Sequence, residues 1–318
     1  MVRSATGMKI VVFGDQARVG ALLGDQILDL HGVNPALPAG LRQFIEAGQR
    51  ALEDAQRAID GIGTAPDSAV LPLNDVRLLA PWAERRIACV GGNYADHLRG
   101  MAGGQSKTIE QVANEAREAG QWGFWKVPDR VTGPDDDVVY PNRTQYFDYE
   151  GEAAIVIGKR GKDIAGDRLD EYVWGVTLIN DLSIRDGMGN PRPMSYNLAK
   201  NFDGSTAMGP VIEVASVSPS AVDLQTCVNG EVRQHFNTRD MVFSFADVLE
   251  YLSRDFTFVP GDVIAGGTAA GTSADKTVRL PDGTRPKDLF LKVGDVVEVS
   301  SPQIGTLRNR IVSRSGGS

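Results

Sequence analysis

Asp148-Tyr-Glu-Gly-Glu-Ala-Ala-Ile-Val-Ile157, closed by Gly158, is the stretch on which the reading of this sequence turns. Ala153–Ile157 is a short apolar run without alternation, which suits a strand buried on both faces. Residues two apart on a strand share a face. Glu150 and Glu152 should therefore point the same way at the mouth of that strand. Two like charges so placed repel unless a cation or partner neutralises them. Carboxylates are mostly exposed, so from this spacing alone two solvated glutamates is the commoner arrangement. A third carboxylate shifts the balance. The apolar run Trp174–Ile179 ends in Asn180-Asp181, with Arg185-Asp186 just beyond. An Asp there often only shapes a turn. Together, Glu150, Glu152 and Asp181, with no His or Cys beside them, suit a hard cation. Mg²⁺ fits best, with Mn²⁺ or Ca²⁺ as substitutes, and positions remain for water and substrate oxygens.

Outward from this stretch the chain is rich in strands. Arg86–Val90, Tyr172–Ile179, Val211–Val214, Leu224–Val228, Asp262–Ala265 and Asp295–Ser300 read as strands between turns of Gly, Asp and Pro. Few long helices separate them, so the expected class is a β-rich α+β fold rather than a doubly wound parallel sheet. Phe245–Ser253 reads as a short helix. Thr108–Ala119 reads as another, opened by a capping box of Thr108 and Gln111. Its apolar face is thin and glycines flank it, which fits a mobile lid or a surface insertion. The first 80 residues look like a small α+β unit. Lys9–Phe13 and Arg18–Leu23 read as strands, Leu41–Ile59 as one helix, and Leu71–Leu79 as extended chain. The expected division is residues 1–80 and 81–318.

Composition sets outer bounds. The 318 residues are 42% hydrophobic and 23% charged, which is ordinary for a globular chain and excludes a disordered one. Lys and Arg number 33 against 41 Asp and Glu, a net charge of −8 with no dense basic cluster, so a nucleic-acid partner is not expected. No run of 18 apolar residues exists, so no membrane span is expected. The start lacks the pattern of a secretory signal, and Cys89 and Cys227 read as reduced, buried thiols. A cytoplasmic protein is the expectation.

His97 lies in Val90-Gly-Gly-Asn-Tyr-Ala-Asp-His97, a polar loop after a strand and a glycine turn. A lone His is more often structural than catalytic. Loops of this kind carry function, however, and neutral His is the usual general base near pH 7. Gly266-Gly-Thr-Ala-Ala-Gly271-Thr272 lacks the Lys of a phosphate loop. No dinucleotide fingerprint follows the first strand, and no serine-hydrolase elbow is present. Cys89 sits in an apolar run and reads as core.

Five stretches, in order over residues 86–310, resemble the fumarylacetoacetate hydrolase family. They are Cys89–His97, Asp148–Glu152, Asn180–Asp186, Ala199–Asp203 followed by Met208-Gly-Pro210, and Pro260–Thr268. The resemblance implies a β-rich core around a metal pocket, a small N-terminal domain and a homodimer. It implies Mg²⁺ on Glu150, Glu152 and Asp181. It makes His97 the base that activates water, has Arg185, Lys200 and Thr268 hold substrate oxygens, and leaves Asp203 a structural part. The substrate class is 2-oxo and 2,4-dioxo acids. The implied reaction is hydrolysis of a C–C bond to a carboxylic acid and pyruvate or a similar acid, leaving an enolate that Lys200 helps to stabilise. A decarboxylase, hydratase or isomerase of 2-oxo acids, or a catalytically degenerate metal-binding relative, are the alternatives.

The sequence departs from the family at three places. Met188 replaces a usual Gln and Ala269 a usual Pro. Gly100 replaces the Glu that normally orients the His three residues before it. Glu110, Glu115 and Glu118 of the inserted helix are the expected substitutes, Glu110 first, brought to His97 as the helix closes over bound substrate.

Overall fold

The computed structural model describes residues 7–102, 106–186, 196–277, 280 and 284–314. Among these, two large sheets form the frame. The larger has eleven strands. Its central strand, Gly151–Ile157, is buried at every position, as its unbroken apolar run requires. It pairs antiparallel with Val173–Asp181 on one side and Val263–Ala265 on the other. Val263–Ala265 runs parallel to Ile87–Val90, which pairs antiparallel with the edge strand Gly123–Lys126. On the opposite flank Thr206–Val214 pairs with Val173–Asp181.

The sheet then passes directly into the N-terminal segment. Met8–Phe13 pairs with Thr206–Val214, in the register Met8 with Val214 and Ile10 with Ile212. Arg18–Leu23 and Gln26–Asp29 extend it by hairpins. The first 80 residues thus add strands to the central sheet. The expected helix Leu41–Ile59 is two helices, Leu41–Glu46 and Gly48–Asp60, because Gly48 takes a positive φ of 64°. That conformation costs glycine little and breaks the helical path. Phe44 meets Trp174 edge-on, ring centroids 6.2 Å apart, and fixes the first helix to the central sheet.

The five-stranded sheet runs Glu231–Asn237, Asp223–Val228, Val296–Ser301, Gly305–Val312 and Asp137–Val139. It covers one face of the large sheet. Ala153, Ile155, Val176 and Leu178 pack there with Leu224, Phe236, Val299 and Leu307. Ala154, Val156, Ile179 and Met208 face the other way, with Cys89, Phe124 and the N-terminal helices. The alternation along Gly151–Ile157 places Glu152 on this second side. The inserted helix spans Ile109–Ala119 with the expected capping box. It is docked through Val112 against Ala95 and Val242. No helix among the described residues is long and apolar enough to cross a membrane.

Candidate active site

Register brings the three carboxylates together. The Asp181 amide donates to the Glu150 carbonyl at 2.8 Å, and Glu152 pairs with Ile179 two residues before Asp181. Oxygens of Glu150, Glu152 and Asp181 all lie within 4.8 Å of one another, and all three residues are buried. This is the cluster that the spacing of Glu150 and Glu152, taken together with Asp181 at a strand end, predicts.

Three cations surround it. The Lys200 ammonium donates to Glu150, and to Asp181 at 2.7 Å. Arg185 bonds Glu150 through one nitrogen and Asp148 through Nε at 3.0 Å. Lys126 donates to Asp181, and to the Ser205 carbonyl at 2.9 Å. Both lysines are almost wholly buried. Charges this deep persist only when paired. Burial pushes the Glu150 carboxyl up, but Arg185 and Lys200, with His97, outweigh it and hold it well below the usual carboxylate range. Glu152 goes the other way. Burial, then Asp181 and Glu150, push it well above that range, and Lys200 and the Gly267 amide (2.9 Å) only partly offset them.

Crowded, oxygen-only carboxylates with one driven towards its neutral form are what a divalent cation would relieve. The donor set therefore fits such an ion. Cys89, close to the cluster, is a free thiol pushed up by burial and by Asp181 and Glu152, so it stays inert core as its apolar run implied.

His97 is buried on the helix Ala95–Met101 and is near enough to Glu150 for their charges to interact. Its Nδ1 lies 2.8 Å from Oδ2 of Asp275. The expected glutamates are elsewhere. Glu110, Glu115 and Glu118 are all exposed, and Glu115 pairs with Lys107. The carboxylate beside His97 here comes from the short helix Ser273–Lys276, whereas the expected approach of a glutamate belonged to closure over bound substrate. Thr268 is buried against the site. Its hydroxyl donates to the Gly151 carbonyl at 2.9 Å and accepts from Gln234 at 2.8 Å. Asp203 is exposed, and Met188 lies outside the described residues.

Sequence reasoning missed Lys126 and Asp275, and gave Asp148 no role. Lys126 ends a four-residue strand, Gly123–Lys126, and lies just past an insertion read as running from about Met101 to Trp125. Asp275 reads locally only as a residue of the first turn that Thr272 caps, its amide donating to the Thr272 hydroxyl at 3.3 Å. Nothing local points to His97.

Comparison with known proteins agrees with this geometry. Residues 86–312 match the family described as fumarylacetoacetate (FAA) hydrolase C-terminal. The chain belongs to the fumarylacetoacetate hydrolase family. It is an enzyme of that superfamily by descent, with a mixed, β-rich fold and an acidic cluster suited to a divalent metal. A mitochondrial oxaloacetate tautomerase, FAHD2B of Homo sapiens, is 34% identical over 315 residues, spanning 96% of this chain and 92% of its own. A solved fumarylacetoacetate hydrolase of Exiguobacterium antarcticum is 31% identical, with a TM-score of 0.74, covering 96% of this chain and all of that one. A maleylpyruvate hydrolase of Sphingobium sp. SYK-6, solved with manganese(II) and pyruvate, is 25% identical with a TM-score of 0.73, covering 97% of this chain and all of that one.

Proposed function

We propose that this family member is a Mg²⁺-dependent keto–enol tautomerase of oxaloacetate or a similar 2-oxo dicarboxylic acid. Mn²⁺ would serve as a substitute. The observation that carries this reading is a buried carboxylate triad ringed by Lys126, Lys200 and Arg185, with a His–Asp pair at its side. The near-full-length likeness to an oxaloacetate tautomerase supports the choice of substrate. A divalent ion on Glu150, Glu152 and Asp181 would polarise the 2-oxo group as a Lewis acid. The chain supplies the rest. Lys126 and Lys200 place positive charge where oxyanion character grows. His97 removes a proton from C3, and the imidazolium so formed gives a proton to the C2 oxygen, so the base is restored and no atom is gained or lost. Burial of the cluster keeps competing water away from these charges.

The second reading is hydrolysis of a C–C bond in a 2,4-dioxo acid. The His97–Asp275 pair favours it, because activation of water needs an oriented imidazole. One experiment separates the two. The purified protein with Mg²⁺ is given oxaloacetate enol, and separately an acylpyruvate. Enol decay is followed by ultraviolet absorbance and products by NMR. Tautomerisation predicts metal-dependent enol decay with oxaloacetate intact, while release of a carboxylic acid from the acylpyruvate would favour hydrolysis. Neither activity would end both readings.

A further inference from the structure

We propose that Asp275 is the positioning residue for His97, and that Gly100 is glycine because Asp275 occupies the space a side chain there would need. The claim deepens the reading of His97 as the base and rests on it. A carboxylate only accepts hydrogen bonds. At 2.8 Å, Asp275 Oδ2 therefore fixes the ring with its proton on Nδ1 and leaves Nε2 as the basic nitrogen. A Cβ at position 100 would lie 2.6 Å from the Asp275 Cβ and 3.2 Å from its carbonyl oxygen. Any side chain at 100 and Asp275 in this place exclude one another. The backbone offers no other reason for the glycine. Gly100 is inside the helix Ala95–Met101 and has no positive φ. Alanine there would ordinarily favour the helix over glycine.

Asp275 is itself held firmly. Both of its carboxylate oxygens accept from the Gly271 amide at 3.1 Å. The short helix carrying it is pinned by Asp148, which accepts from the amides of Ser273 at 2.8 Å and Ala274 at 3.1 Å. Arg285 holds the Ala274 carbonyl at 2.6 Å. Asp148 also takes Arg185, which reaches Glu150. One network thus sets both the imidazole and a ligand of the metal cluster, and registers them to each other.

The test uses the full chain with Mg²⁺. Asp275→Asn should lower kcat by about 10²-fold, the scale of general acid–base help, with KM changed far less. Gly100→Ala should also lose turnover, against its helix-favouring character. Gly100→Glu combined with Asp275→Gly should regain at least about tenfold over Asp275→Gly alone, since a carboxylate returns from the other side. Independently of turnover, ¹⁵N NMR of the histidine rings, with His97 assigned through His97→Gln, should show the Nδ1-protonated form in the wild type. That preference should be lost in Asp275→Asn. If the wild-type His97 carries its proton on Nε2, or if Asp275→Asn and Gly100→Ala both keep wild-type kcat, the assignment is wrong. If the wild type turns over neither substrate, the functional reading fails and the ring-nitrogen spectrum alone decides this assignment.

Discussion

At the scale of single residues, the site is an exercise in neutralising charges that cannot reach water. Lys126 and Lys200 both hold Asp181, yet only Lys200 also reaches Glu150. Removing one partner of a buried ion pair costs about 3–5 kcal/mol, because the other is left uncompensated. Lys126→Met should therefore lower the melting temperature of the metal-free protein, and saturating Mg²⁺ should recover part of the loss by standing in for the missing charge. Calorimetry with and without Mg²⁺ checks this; an unchanged melting temperature would mean that Lys126 is not a counter-charge. Its kcat should fall by roughly 10²-fold, as when one stabilising donor is lost. The three carboxylates were legible because strand parity and a strand end are local patterns. Lys126 and Asp275 were not, because their partners lie 55 and 178 residues away. No period within one segment records a contact made by folding.

Elements explain why the same residues meet. The buried strand Gly151–Ile157 could be read from its apolar run, and its pairing with Val173–Asp181 follows from two adjacent strands of matching character. The inserted helix was legible in its cap but not in its role. Its acidic face suggested a reach towards His97, whereas the buried residue is Val112 and the glutamates face solvent. Glu110→Gln, Glu115→Gln and Glu118→Gln should accordingly each keep kcat within about twofold, since surface changes away from such features have small effects. A loss of 10²-fold in any of them would return the helix to a catalytic part. Thr108→Ala should loosen this helix by about 1 kcal/mol through its lost cap. Faster amide hydrogen exchange confined to Ile109–Ala119 would be the readout, and unchanged exchange there would contradict the cap's importance.

For the molecule as a whole, the central sheet is continuous from the N-terminal hairpins to the strands that bear the carboxylates. The first 80 residues read as a separate unit because hairpins and helices close on themselves in sequence. The pairing of Met8–Phe13 with Thr206–Val214 joins segments some two hundred residues apart and leaves no local trace. A chain of residues 81–318 would expose that edge together with Met208 and Ile212, which now pack against the N-terminal core. Open apolar edges invite aggregation. This shortened chain should be insoluble or lack a cooperative melting transition; a soluble form that melts cooperatively would show that the N-terminal segment is dispensable.

On the proposed function, this frame holds a metal-dependent centre for proton transfer on 2-oxo acids. Its most direct measurement is the rate at which the C3 protons of oxaloacetate exchange in D₂O, followed by NMR against an enzyme-free control. With Mg²⁺ the wild-type protein should speed that exchange well above the control while oxaloacetate remains intact. Chelation of the metal or Glu152→Gln should return the rate to the control. Exchange that stays at the control rate with Mg²⁺ present, or that persists in full after chelation, would contradict the account.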